Sequence, residues 1–145
     1  MHAEAGMSER KPLTRSQIMA RIVKRNTRLE IRVRKLLHKM GYRFRIHGAG
    51  LPGTPDIVFT RRRIAIFTHG CFWHQHGCEL TRKPKTNLAY WTPKLSKNRK
   101  RDRQSERALI ALGWRVITVW ECETDEKRLQ RKLRAALGHI RLACR

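Results

Sequence analysis

The sequence predicts a layered α/β domain, a β-sheet flanked by helices, and three observations carry that reading. Apolar spacing passes from the helical period to alternation and back, in the order helix, three strands, helix, strand, helix. The 145 residues suffice for one core that buries roughly two thirds of the unfolded surface without disulfides. Neither an internal repeat nor a low-complexity linker divides the chain, so residues 14–145 are expected to form a single domain behind a flexible arm of residues 1–13.

From Thr14 the segment TRSQIMARIV predicts a short helix with Ile18, Met19, Ile22 and Val23 on one side. Thr27 is an N-cap with Glu30 three residues on, a capping box, and Leu29, Val33, Leu36, Leu37 and Met40 recur at helical spacing up to Gly41. Tyr42, Phe44 and Ile46 alternate with Arg43 and Arg45, the period of a strand with one buried face, and His47 to Pro55 is a loop. Ile57–Phe59 and Ile64–Phe67 are apolar and β-rich; joined through the arginines at 61 to 63, they predict a hairpin. Glu79 to Pro93 has no period and reads as an extended surface loop. Thr92 and Pro93 then read as the N-cap and first-turn proline of a long basic helix ending at Gly113, with Leu95, Ala108, Leu109 and Leu112 facing inward. Trp114–Trp120, WRVITVW, predicts a central strand with both tryptophans in the core. A last helix runs from about Asp125 to Leu137 on Leu129, Leu133 and Leu137, and stops at Gly138.

Charge narrows the function. Lys and Arg number 34 against 11 Asp and Glu, a formal net charge of +23, and such a field draws polyanions, nucleic acid foremost. No window approaches the ~18 apolar residues of a membrane-spanning helix, and Met1 to Lys11 lacks the apolar run of a secretory signal. A cytoplasmic protein with reduced thiols is expected, which makes Cys71, Cys78, Cys122 and Cys144 metal ligands or buried thiols rather than a disulfide framework.

Chemistry concentrates in Pro55 to Cys78, PDIVFTRRRIAIFTHGCFWHQHGC. Cys71, His76 and Cys78, with Cys122 as a remote fourth, supply the sulfur and nitrogen ligands that tetrahedral zinc favours; Cys71, His74 and Cys78 fit nearly as well, and buried thiols beside surface histidines are the plain alternative. Asp56 is the only acid between Glu30 and Glu79. It either caps the turn after Pro55 or holds Mg2+ against a phosphate. Once His76 is given to zinc, His69 and His74 are left for proton transfer near neutral pH, or as satisfied supporting groups. Glu30 is accounted for by the capping box. Phe72, Trp73 and Trp91, in basic surroundings, suit stacking on bases or wedging between base steps, against the usual burial of large aromatics.

Taken together, FTHGCFWHQHGC, LPGTPDIVF, TRSQIMARI, LEIRVRKLL and LGWRVITVWEC resemble the very-short-patch-repair DNA mismatch endonuclease family, over about Thr14 to Cys122. The resemblance implies a restriction-endonuclease-like mixed β-sheet flanked by helices, with a structural zinc site. It implies Mg2+-dependent nicking of double-stranded DNA 5′ to the thymine of a T:G mismatch, in the bacterial cytoplasm at the nucleoid, leaving a 5′-phosphate and a 3′-hydroxyl; the absence of a large unexplained apolar face in the sequence points to a monomer. By the same resemblance Asp56 and the backbone carbonyl of Thr68 hold Mg2+, His74 is the essential catalytic histidine, and His69 and Glu30 support it. Cys71, His76, Cys78 and Cys122 are the implied zinc ligands. Phe72, Trp73 and Trp91 are the implied intercalating aromatics, with Met19 entering from the other groove. Gln75 and Gly77 interrupt the family's histidine-rich stretch, and Thr54 stands where a basic residue can occur. Two rival functions are a restriction-type nuclease that cuts matched DNA and a non-catalytic zinc-stabilised DNA-binding module.

Overall fold

A computed structural model describes residues 14, 17, 18 and 25–139. The expected arm of residues 1–13, the apolar positions Met19, Ile22 and Val23, and Cys144 lie outside the described residues. Gln17 and Ile18 are helical, and the Ile18 N–H donates to the Thr14 carbonyl.

Helix α1 (Arg28–Lys39) begins as its capping box dictates: Thr27 Oγ1 accepts from the Glu30 N–H at 3.2 Å. Its apolar stripe, Val33, Leu36 and Leu37, is buried. Strands β1 (Arg45–Ile46), β2 (Ile57–Phe59) and β3 (Ile64–His69) pair antiparallel in turn. A helical turn, α2 (Cys71–His74), and the long helix α3 (Leu88–Ala111) then carry the chain to β4 (Arg115–Trp120), which pairs parallel to β3. Parallel neighbours need such a crossover, so the described sheet is mixed, in the order β1-β2-β3-β4. Helix α4 (Glu126–Leu137) follows, with the Asp125 carboxylate accepting from the Arg128 N–H.

The strand period of two sorts side chains onto two faces. Ile57, Phe59, Ile64, Ile66 and Val119 pack against Val33, Leu36 and Leu37 of α1 and Leu129, Leu133 and Leu137 of α4. On the other face Ala65 and Phe67 pack against Leu109 of α3. Among the described residues, the sheet thus lies between a layer of two helices and a single long helix.

Several expectations shift. Helix α3 starts at Leu88, after Asn87 in a left-handed conformation (φ 53°), so Pro93 lies inside the helix instead of opening it. Proline there removes one intrahelical bond, but the upstream turn still forms, and Trp91 sits on the helix rather than in a loop. Leu112, expected inward, lies just past the helix end and is 55% exposed. Only Arg45 and Ile46 of the first strand pair, Ile46 being exposed on the sheet edge, whereas Tyr42 is buried with its hydroxyl donating to the Gly138 carbonyl. Strand β3 runs two residues beyond Phe67 because β4 continues its ladder, pairing Thr68 with Val119 and His69 with Trp120. Trp114 and Trp120 are both half-buried; Trp114 packs against the core on the α3 face, whereas Trp120 stacks on His76. No described helix is long and apolar enough to cross a membrane.

Candidate functional site

The C-terminal end of β3 assembles the site. Gly70 releases the chain into α2, and Gln75, left-handed at φ 47°, ends that turn by donating its N–H to Phe72 O and Cys71 O. The reversal brings His76 and Cys78 back beside Cys71, and Cys122 arrives from the end of β4. The ligand atoms of Cys71, His76, Cys78 and Cys122 lie within 4.8 Å of one another, with His76 Nδ1 3.9 Å from Cys71 Sγ and 3.5 Å from Cys122 Sγ. Zinc bound tetrahedrally at ~2.3 Å to sulfur and ~2.0 Å to nitrogen sets such atoms roughly 3.5–3.8 Å apart, so three thiolates and one imidazole fit a closed zinc site. Burial pushes the Cys71 thiol up to about 12, while at Cys78 desolvation is outweighed by hydrogen bonds with Thr81, Cys71 and His76, which bring it down to about 6. A cation at their centre would favour thiolate at both.

The second assembly lies beside the first. His69 and His74 stack with ring centroids 3.8 Å apart and planes 2° from parallel, and His74 Nδ1 is 2.5 Å from Asp102 Oδ2 of α3. Desolvation, reinforced by the charge of His74, lowers His69 to about 4 against the pull of Asp102. Desolvation would raise Asp102, but its hydrogen bond to His74 and the charges of both histidines lower it. One imidazole is thereby held neutral while the other has an ionised partner, the arrangement a proton-transfer group needs.

Asp56 approaches the same strand end at the turn into β2. Its Oδ2 accepts from the Thr68 N–H at 2.7 Å and the Thr68 hydroxyl at 3.0 Å. Desolvation, and further the charge of Glu30, raise its pKa against those two bonds. Glu30 is 3% exposed; it accepts from the Asn26 N–H at 2.8 Å and pairs with Arg34 at 2.9 Å, more than the capping box alone requires. Thr68 lies on the face of Ile64 and Ile66, His69 on that of Ala65 and Phe67, so carboxylate and imidazoles meet the strand end from opposite faces. Gly53 tethers the loop before Asp56: at φ +72° it approaches Ser105 of α3 so closely that a Cβ would lie 2.6 Å from that residue's Cβ.

The aromatics form their own group. Phe72 and Trp73 meet edge-to-face at 5.1 Å, and Trp91 contacts them at 5.4 and 5.9 Å. All three are half-buried, chiefly against each other.

The profile of the family described as DNA mismatch endonuclease Vsr matches residues 8–80. A type II nicking enzyme, V.XorIIP of Xanthomonas oryzae pv. oryzae, is 53% identical over 127 residues, covering 87% of this chain and 93% of that protein. The DNA mismatch endonuclease Vsr of Escherichia coli K12 is 49% identical over 109 residues, 75% of this chain and 70% of that protein. The chain belongs to the Vsr family of DNA mismatch endonucleases. A third relative, the type II nicking enzyme V.NmeAIP of Neisseria meningitidis, is 40% identical over 118 residues, with 81% and 84% coverage.

Membership makes the chain an endonuclease acting on DNA, and its sequence-derived site residues divide among four neighbouring groups around the end of β3, the aromatics being one. The cysteine-histidine set coincides with the expected ligands and includes His76, not His74. Asp56, Thr68 and Glu30 form one polar group, His69 and His74 another, while Met19 lies outside the described residues. Two residues escaped sequence reasoning. Asp102 is the only acid between Glu79 and Glu106, in an otherwise basic helix, and its isolation is the same signal that marks Asp56. Trp120 reads as a core residue of an apolar strand, yet its ring stacks on His76 at 3.9 Å.

Proposed function

We propose that this Vsr-family chain nicks one strand of duplex DNA 5′ to the thymine of a T:G mismatch, by Mg2+-dependent hydrolysis leaving a 5′-phosphate and a 3′-hydroxyl. The observation that carries the reading is the pairing, at one strand end, of a half-buried carboxylate without an ion pair among the described residues and a histidine pair anchored by Asp102. The names of relatives, mismatch endonuclease and nicking enzyme, support the same direction. So does the order helix, antiparallel hairpin, crossover helix and parallel strand, which is compatible with a restriction-endonuclease-like core.

Both Thr68 bonds fall on Oδ2 of Asp56, leaving Oδ1 for a cation. Asp56 and the Thr68 carbonyl would hold Mg2+, which when bound supplies charge stabilisation at the scissile phosphate. His74, with Nδ1 committed to Asp102, presents Nε2 to take a proton from the attacking water. Asp102 fixes the tautomer and stabilises the imidazolium that results. His69, kept neutral by burial, holds the plane of His74 by stacking. Cys71, His76, Cys78 and Cys122 would hold Zn2+, and a set of four sulfur and nitrogen ligands would give it a structural rather than a catalytic role. Phe72, Trp73 and Trp91, with Met19 from the other groove, wedge open a base step; a mispaired step resists such deformation least.

The test is nicking of end-labelled T:G and matched duplexes, with Mg2+ and with EDTA. Cleavage of the thymine strand alone, only with the mismatch and only with Mg2+, is expected. Equal cleavage of matched duplex would favour a restriction-type nuclease, and binding without cleavage a non-catalytic module.

A further inference from the structure

The last three positions of the β4 end grip the loop that carries both site assemblies. Trp120 pairs with His69 across the parallel ladder, so the two side chains leave adjacent strands on the same face. The Glu121 N–H donates to the His69 carbonyl at 3.0 Å, and its carboxylate accepts from the Cys71 N–H at 3.3 Å. Cys122 contributes its thiol to the cysteine-histidine cluster. Between these sits the Trp120 indole. Its plane lies 4° from that of His76, with centroids 3.9 Å apart, while it meets the rings of His69 and His74 in edge-to-face arrangement at 5.2 Å and 70° and at 6.4 Å and 71°.

We infer that Trp120 is a positioning residue that transmits the geometry of the cysteine-histidine cluster, by way of His69, to the proton-transferring His74. The inference rests on the assignment of His74 to proton transfer. Holding the four ligands fixes the plane of His76, and stacking then fixes the indole. The indole bounds the space open to the His69 ring, and His69 stacks directly on His74. Each link is a flat ring against another, so the stack resists tilt with few rotatable bonds. His74 is held at one end by Asp102 and on its face by this stack, so removing the indole leaves the carboxylate contact intact but frees the ring to rock about it. Loss of alignment by about 1 Å is enough to slow a reaction roughly a hundredfold.

The experiment compares wild type, Trp120→Phe and Trp120→Leu by three readouts: zinc per chain by metal analysis, affinity for mismatched duplex without Mg2+, and single-turnover nicking at saturating protein. Both variants are expected to retain one zinc and to bind DNA within about twofold of wild type. The leucine protein should nick at least about tenfold more slowly, and phenylalanine, which keeps a ring on His76 but is smaller, should recover most of the rate. Wild-type nicking by the zinc-loaded leucine protein would overturn the inference. So would a rate that falls only in proportion to zinc lost, or equal slowing in both variants, since either describes structural support. If the leucine protein does not fold, Trp120→His decides: another flat ring must nick faster than Trp120→Ala at equal zinc content. Failure of wild-type protein to nick any T:G duplex would instead strike the proposed function, so the two failures are distinguishable.

Discussion

At the scale of single residues the site opposes function to stability. Asp56 is raised by desolvation and by the charge of Glu30, so its ionised form is disfavoured in the metal-free fold although a cation site requires it. Asp56→Asn keeps an acceptor for both Thr68 bonds and removes the charge. Its thermal unfolding midpoint without Mg2+ at neutral pH should equal or exceed that of wild type while nicking is lost; a lower midpoint with nicking retained would contradict the assignment. Asp102 contacts His74 Nδ1, and in the proposed reaction Asp102→Asn would supply an amide where the imidazolium wants an anion. Single-turnover nicking should fall about a hundredfold or more with mismatch binding unchanged. Neither role followed from Asp102's position in a basic helix, though its isolation among cations marked it as it marked Asp56.

At the scale of elements, local pattern succeeded where the element supplies its own reason to form. The α1 capping box, the α4 cap at Asp125 and the hairpin turn through residues 60–63 are as their residues dictate. Thr27→Ala should lower unfolding free energy by about 1 kcal/mol in urea titration, with the midpoint shifted and the slope unchanged. Pattern failed where a distant partner decides. The pairing of β3 with β4 lengthened β3 to His69, and the unpaired flank shortened β1 to two residues. Cys71–His74 is a helical turn, which spaces successive side chains by about 100°. One turn can therefore send Cys71 to the cysteine-histidine cluster, Phe72 and Trp73 to the aromatic group, and His74 to Asp102. No alternation of a strand or loop announces that division.

For the whole molecule, the charge of +23 predicts that most binding energy comes from phosphate contacts, among them Arg99, Lys100, Arg101 and Arg103 on α3. Affinity for mismatched duplex, followed by fluorescence anisotropy, should fall about a thousandfold between about 50 and 200 mM salt; a fall under about tenfold would contradict an electrostatic footprint. Composition and spacing by themselves determined the α/β class, the polyanionic partner and the candidate ligands, because hydrophobic period, charge and residue chemistry are local properties. Spacing left His74 and His76 as rivals for the cysteine cluster and the family resemblance implied His76; only the tertiary structure joined His74 to Asp102 and set Trp120 between the two histidines. Those choices join α2 to α3 and to the end of β4, elements separated by tens of residues. Their physical cause is the register of a parallel strand pair and the packing of one helix on a sheet face, which no periodicity within either segment encodes.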